Sequence, residues 1–338
     1  MENLERAIAQ IKEALPGMTL LENEPLREHC SFKIGGPVRA LAVPSDVTSL
    51  SRICYYLKEN KLAPMILGNG TNLLFPDEGL SEVFMVSTEK LTKLFLLPDG
   101  AIYAEAGVSL AKLASFAQQN GLTGLEFASG IPGSVGGGAR MNAGAYGGEL
   151  KDCIESVVCY YLPEQRLYEL NNEQCAFGYR QSLFQKLGGC VILSAVFRLK
   201  EGDREEISAK MRELNEKRRA KQPLDLPSAG SAFRRPEGYF AAALIEECGL
   251  KGYRIGDAQV SEKHAGFVVN VGHAGSHEVY DLMMHIRETV YKCKKVVLEP
   301  EIIMLAPDYR LEDNGPAVPL HSVSVNQWEQ PEEKEAGK

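Results

Sequence analysis

This sequence predicts an α+β fold built from more than one unit. Three observations carry that expectation. The chain has 338 residues, a length that suits two domains or a little more. Apolar strand-like runs and amphipathic helices alternate, but without the regular βαβ series of a doubly wound sheet. Composition shifts after Lys200, where the charged segment "EGDREEISAKMRELNEKRRAKQP" reads as a helix at a domain junction. The expected units are 1–84, 85–203 and 204–306, followed by a polar, proline-containing tail, 307–338, expected to be mostly disordered.

The elements follow in order. "MENLERAIAQIKEAL" places Leu4, Ile8, Ile11 and Leu15 on one helical stripe. "VRALAV" (38–43) reads as a strand. The next helix has Ser45 or Asp46 as N-cap, with Val47, Leu50, Ile53, Cys54 and Leu57 on its apolar face. "PMIL" and "VFMVS" are short strands, and "LLPDGAIYAEAG" is a strand pair around an Asp-Gly turn. "SLAKLASFAQQNG" is a helix capped by Ser109 and closed by Gly121. "IESVVCYYL" and "CVILSAVFRLK" are strands. Beyond the charged helix come "YFAAALIEECG", the strand "AGFVVNVG", the helix "SHEVYDLMMHIRETVYKC" and the strand "VVLEPEIIML".

Composition excludes several classes. With 37 basic and 45 acidic residues the net charge is −8, which argues against a nucleic-acid partner. No apolar run is long enough to span a bilayer, so no membrane association is expected. The N-terminus lacks the pattern of a secretory signal. The eight cysteines form no CxxC pair and lie near no HxxxH, so no metal site is expected. Reduced thiols in a cytoplasmic protein are the plain reading.

Two glycine-rich stretches point to a ligand. Ten of the 28 residues from Gly121 to Gly148 are glycine. "ILGNGTNLLF" places Gly68, Asn69, Gly70, Thr71 and Asn72 directly after an apolar strand. Backbone N–H groups freed by glycine form anion-binding nests, and Thr and Asn add donors. Two such loops suit a dinucleotide with its pyrophosphate. Neither the Rossmann fingerprint nor the P-loop is present.

"SFKIGGP", "LGNGTNLL", "GLEFASGIPGSVGGGARMNAGAYGGE", "GYRQSLF", "AGSAFRRP", "SEKHAGFVVN" and "LEPE" occur in this order. Together they resemble the UDP-N-acetylenolpyruvoylglucosamine reductases of peptidoglycan synthesis, over roughly residues 20 to 305. The resemblance implies a two-subdomain FAD-binding module of the vanillyl-alcohol-oxidase type plus a C-terminal α+β substrate-binding domain. It implies FAD as cofactor, NADPH as co-substrate and a UDP-sugar enolpyruvate as substrate. By motif, Gly68 to Asn72 hold the pyrophosphate. Gly130, Ile131, Pro132, Gly133 and Ser134, with Asn142, Ala143, Gly144 and Ala145, line the flavin and ribityl chain. Gly137 lets main chain approach the cofactor, and Asn142 offers it a polar handle.

The reaction so implied adds hydride to an enolpyruvyl double bond and must stabilise the resulting charge and deliver one proton. Arg180, in "GYRQSLF", carries a guanidinium that can fork onto a carboxylate, and the resemblance makes it catalytic. Ser231 reads on its own as a turn serine; the resemblance makes it the proton donor. Alternation puts Val297, Glu299, Glu301 and Ile303 on one strand face, where partial burial favours a protonated carboxyl. Spacing does not choose between the two glutamates; the resemblance picks Glu301. Tyr179, Lys221, Arg235, Lys263 and His264 are substrate-binding candidates, with Arg234 near them.

Cys30 departs from the family's usual threonine. Arg180 and Ser231 stand too close in sequence for an inserted tyrosine loop, so the chain resembles the shorter subclass. Two rival readings remain: another flavin oxidoreductase on this scaffold, and a non-catalytic nucleotide-sugar binding protein. A monomer is expected.

Overall fold

The structure, a computed structural model, describes residues 2–308 and 326–328. The first unit begins with α1 (Glu2–Ala14), which buries Leu4, Ala7, Ile8 and Ile11 as the stripe predicts. Strand β1 (Thr19–Pro25) runs antiparallel to β2 (Pro37–Val43). Helix α2 (Val47–Glu59) is capped by Asp46, whose Oδ1 accepts the Ser49 N–H at 2.7 Å. Next come β3 (Met65–Leu67), β4 (Leu73–Leu74) and β5 (Leu80–Ser87). The sheet order is β1-β2-β5-β3, with β2, β5 and β3 parallel. Both faces are covered, as parallel strands require. Ala40, Ala42, Phe84 and Val86 pack toward α1 and α2. Leu41 and Met85, one residue out of phase, face the opposite core.

The second unit opens with the hairpin β6 (Leu94–Leu96) and β7 (Ile102–Glu105), then α3 (Leu110–Gln119) behind its Ser109 cap. Asn120 ends α3 and Gly121 follows at φ +68°. After β8 (Leu122–Thr123) comes α4 (Val135–Met141), a helix inside the stretch read from sequence as a glycine-rich loop. The tight pair β9 (Gly144–Ala145) and β10 (Gly148–Glu149) precedes β11 (Ile154–Tyr161) and β12 (Arg166–Asn171), then α5 (Leu183–Lys186), β13 (Cys190–Phe197), β14 (Lys200–Glu201) and α6 (Arg204–Lys221). The large sheet is antiparallel, ordered β20-β12-β11-β13-β7-β6. Its outer strand β20 (Asn326–Trp328) lies in the segment expected to be disordered, which is a correction at those three residues. Of the rest of that expectation, 307–308 form a turn, and 309–325 and 329–338 fall outside the described residues.

Helix α6 packs Leu214 and Met211 into the core of the second unit. The third unit has β15 (Ser228–Ser231), α7 (Ala241–Glu247), β16 (Arg254–Ile255), β17 (Ala258–Val260), β18 (Phe267–Asn270), α8 (Ser276–Lys294) and β19 (Ile303–Met304). Its sheet order is β15-β18-β17-β16. Its core is continuous with that of the first unit, from Leu26 and Phe75 to Met283 and Leu298.

The expected strand "VVLEPEIIML" is broken. Glu299 O accepts the Arg234 N–H and Glu301 N donates to Ala232 O, both at 2.9 Å. Between them Pro300 has no N–H to continue a ladder. Past it, β19 pairs in parallel with β4 of the first unit. This handover between units sets Glu301 at their junction.

Candidate active site

The two glycine loops meet. Thr71 Oγ1 donates to Pro132 O at 3.0 Å, and a Cβ placed on Gly68 would lie 2.9 Å from Ser134 Oγ. Gly70 has φ +59°, and a Cβ there would come within 2.1 Å of His29 O, so only glycine fits. A cavity of ≈ 340 Å³ opens against the first loop, lined by His29, Cys30, Ser31, Gly68, Asn69 and Ser87. Cys30 is buried and its Sγ donates to Ile34 O at 3.2 Å.

Helix α4 forms despite three consecutive glycines because packing forbids anything larger at two of them. A Cβ on Gly136 would lie 2.9 Å from the Ala106 Cβ, and one on Gly138 would lie 2.8 Å from Leu150 Cδ1. Gly137 is exposed and meets only its own cap, Ser134 Oγ, at 3.5 Å. Nothing in the protein requires glycine there.

Two asparagines expected to serve the cofactor are used inside the protein. Asn142 is buried at φ +45°. Its Nδ2 donates to Glu149 Oε2 (3.0 Å) and Gly178 O (2.8 Å), and its Oδ1 accepts from Lys151 N (2.9 Å). These bonds shape the chain around Gly178 and leave Oδ1 one further acceptor site. Asn72 Nδ2 donates to Glu301 O at 3.1 Å, which ties the first glycine loop to the strand carrying Glu301.

Arg180 sits two residues past Gly178 with φ +55°, a costly conformation for a residue with a side chain. Its Nε donates to Glu301 Oε1 at 2.7 Å and its Nη2 to Gly144 O at 3.0 Å. The Glu301 side chain is 14% exposed. Its cover is the guanidinium, not the apolar neighbours expected from alternation, for Val297 and Ile303 are 58% and 40% exposed. The structure also separates the two glutamates: Glu299 lies in solvent, 3.8 Å from Arg234. Ser231 ends β15 with its side chain exposed, beside Ala232, whose carbonyl accepts the Glu301 N–H. Ser31 Oγ holds the start of that strand by donating to Ser228 O at 2.6 Å. Arg180 and Glu301 thus meet from separate segments, and the strand end that carries Ser231 bonds to the Glu301 backbone through Ala232.

The substrate candidates divide. Tyr179 OH accepts the Arg235 N–H at 3.3 Å, and the Arg235 guanidinium lies 4.0 Å over the Phe240 ring. This group borders the Arg180 pair. Lys221 is exposed at the end of α6. Lys263 Nζ donates to Arg219 O at 2.6 Å, in the last turn of α6. His264 Nδ1 accepts the Gly266 N–H at 3.1 Å, and burial pulls its pKa below 6.5.

Sequence reasoning missed Arg218. It lies in a run of charges that reads as a solvated helix face, yet its Nε and Nη1 are buried without a partner. No local signal distinguishes it from Arg219.

These features fit FAD. Gly68 and Asn69 open into a cavity, Gly137 is exposed on α4, and two buried nitrogens of Arg218 lack an acceptor.

Comparison with known proteins agrees. Residues 38–164 match the FAD binding domain family and residues 222–305 match the UDP-N-acetylenolpyruvoylglucosamine reductase C-terminal domain. A UDP-N-acetylenolpyruvoylglucosamine reductase of Caldanaerobacter subterraneus is 47% identical over 298 residues, 87% of this chain and 96% of that protein. One from Clostridium tetani is 41% identical, covering 91% and 99% of the two chains. The crystal structure of the UDP-N-acetylenolpyruvylglucosamine reductase of Thermus caldophilus superposes with a TM-score of 0.73 at 33% identity, over 86% of this chain and 99% of that one. The two glycine loops, the FAD-binding module and the C-terminal domain therefore belong to one enzyme type, and the chain is a member of the UDP-N-acetylenolpyruvoylglucosamine reductase family.

Proposed function

We propose that Arg180, Ser231 and Glu301 carry the NADPH-dependent reduction of UDP-N-acetylglucosamine enolpyruvate to UDP-N-acetylmuramate, a step in peptidoglycan precursor synthesis. The supporting observation is the 2.7 Å Arg180–Glu301 pair set beside the strand end that carries Ser231. A bound FAD would supply the hydride chemistry, with NADPH as its reductant, that the enolpyruvyl double bond needs. Arg180 binds the substrate carboxylate and stabilises charge arriving there. Glu301 orients that guanidinium and hydrogen-bonds the same carboxylate region. Ser231 gives its proton to C2. Gly68, Asn69, Gly70 and Thr71 hold the cofactor diphosphate, and the 130–134 turn and Ala143 to Ala145 line the flavin. Tyr179, Arg235 and Lys221 border the substrate.

All three catalytic groups come from one chain, which supports a monomer as the working unit. The eight cysteines are free thiols, and among the described residues no helix is long and apolar enough to cross a membrane. Both support a cytoplasmic setting. The test is an absorbance assay. Purified protein should show bound FAD and oxidise NADPH only when the enolpyruvyl nucleotide sugar is added. A protein that takes up no FAD, or oxidises NADPH at the same rate without the sugar, overturns the reading.

A further inference from the structure

Two helices of the third unit bring a pair of thiols together at the surface. Cys248 ends α7 as its C-cap, and Cys293 lies in the last turn of α8, against which α7 packs. Their neighbours in sequence are joined as well, for Lys294 Nζ donates to Glu247 Oε2 at 2.6 Å. The Cys293 thiol lies within hydrogen-bonding reach of Cys248, and burial followed by that contact pushes the Cys248 thiol up. Cys293 is exposed, whereas Cys248 is half-buried against the core shared by the first and third units. Cys190 meets Cys159 in the same way, but Cys159 is sealed inside the second unit. Cys30, Cys54, Cys153 and Cys175 are buried too. Among the described residues, the 248–293 pair alone offers solvent an exposed sulfur with a second one in reach behind it.

We propose that Cys248 and Cys293 form a reversible disulfide that staples α7 to α8. The oxidant is a small anionic disulfide of the glutathione type. Cys293 loses its proton and attacks one sulfur of that reagent. The reagent's S–S bond breaks, one small thiolate leaves, and Cys293 carries a mixed disulfide. Cys248 then gives up its proton and attacks the Cys293 sulfur, which expels the second small thiolate. Two protein thiols become one disulfide, the small disulfide becomes two thiols, and both protons end on those thiols. Lys292, Lys294 and Lys295 flank Cys293 and favour an anionic reagent. The bridge closes a loop that holds β16, β17, β18 and nearly all of α8, so it restricts the unfolded chain over most of the third unit. The other end of α7 starts at Phe240, the ring beneath the Arg235 guanidinium, so the staple fixes a helix that reaches the border of the candidate site. Bridges in a reducing compartment are characteristically transient and redox-sensing, which suits a pair that is reduced at rest.

The experiment treats the full-length protein, as purified, with oxidised glutathione at neutral pH and then with reduced glutathione. Intact mass, peptide mapping and thermal melting are the readouts. Wild type should lose two hydrogens, yield a peptide pair cross-linked between Cys248 and Cys293, and melt about 3–8 °C higher. Reduced glutathione should reverse all three. Cys248→Ser should stop with glutathione attached to Cys293 and show no rise in melting temperature. Cys293→Ser should show no rise either, and it decides the matter with the wild-type map if Cys248→Ser does not fold. A wild type that keeps glutathione on Cys293, bridges Cys190 to Cys159 instead, or does not react overturns the proposal. So does a 248–293 bridge that leaves the melting temperature unchanged, because such a bridge staples nothing. None of these readouts involves turnover, so their failure is distinct from failure of the reaction proposed above.

Discussion

Arg180 and Glu301 meet at 2.7 Å across 121 positions of chain, and each is also held by contacts outside the pair. Arg180 is braced by Gly144 O, and the turn before it by Asn142. Glu301 is braced through its backbone, by Ala232 O on one side and Asn72 on the other. Such preorganisation costs nothing at the moment of reaction. Glu301→Gln keeps a hydrogen-bonding partner for Arg180 but removes the negative charge. Flavin reduction by NADPH should be unaffected. Oxidation by the enolpyruvyl sugar should slow about a hundred- to ten-thousandfold. Stopped-flow absorbance separates the two half-reactions, and equal slowing of both would place Glu301 outside the substrate step.

Asn142 should behave as a structural residue. Replacing it with alanine removes its bonds to Glu149, the Gly178 carbonyl and the Lys151 amide from a buried position, at about 1–3 kcal/mol in total. Asn142→Gly loses the same bonds but relieves the positive φ, and should be about 1–2 kcal/mol less damaging than alanine. Urea denaturation of the apoprotein measures both. A variant with wild-type stability and lost FAD affinity would return Asn142 to the cofactor.

Much of the fold was legible because its signals are local. The Asp46 cap and the Leu50, Ile53, Leu57 stripe fix α2 within thirteen residues. The break in "LEPE" was not read, although Pro300, which cannot donate to a ladder, is a local signal for it. What escaped depends on distant partners. Helix α4 defies glycine's poor propensity because Ala106 and Leu150 crowd it. The bond of Lys263 to the last turn of α6 has no local signal. Arg218 and Arg219 are adjacent in one charged run, and the 129–130 turn decides which is buried. The three catalytic candidates were placed by resemblance. Geometry alone separates Glu301 from Glu299, through a guanidinium that strand alternation does not reveal.

Gly137 offers a test that distinguishes protein from cofactor. Glycine within a helix costs about 0.5–1 kcal/mol relative to alanine. No protein atom crowds a Cβ at this position. Gly137→Ala should therefore stabilise the apoprotein by that amount. If the exposed face of α4 lies against FAD, the same methyl should weaken FAD binding. Calorimetric titration of FAD into apoprotein, beside apoprotein denaturation, reads both signs. Unchanged FAD affinity would remove Gly137 from the cofactor site.

Two histidines should give opposite pH signatures. Burial lowers the His264 pKa below 6.5, so the unfolded chain takes up its proton first. Stability then falls as pH drops below 6.5, until the folded-state pKa is passed. His277 is raised by its hydrogen bond to Glu78. Its contribution is complete below 6.5 and is lost as pH rises through the folded-state pKa. His264→Gln should flatten the acid side of the stability profile, and His277→Gln should flatten the side above 6.5. Urea midpoints between about pH 5 and pH 8 show each. A His264→Gln profile as steep as wild type on the acid side would mean that another group sets that slope.

Ser231 lies at the end of β15, where Gly230 at φ +77° turns the chain and Ser31 pins Ser228. The residue is exposed, and its neighbour Ala232 bonds to the strand that carries Glu301. A serine has no nucleophile's base here, and the chemistry asks only for a proton at C2. Ser231→Ala should leave flavin reduction by NADPH intact and slow oxidation by the enolpyruvyl sugar by about two to four orders of magnitude. Ser231→Cys puts a thiol with a reference pKa of about 8.5 in the same place. It should recover part of the lost rate and impose a new fall in rate as the thiol ionises. A cysteine variant as slow as alanine at every pH would mean that position 231 shapes the site without supplying the proton.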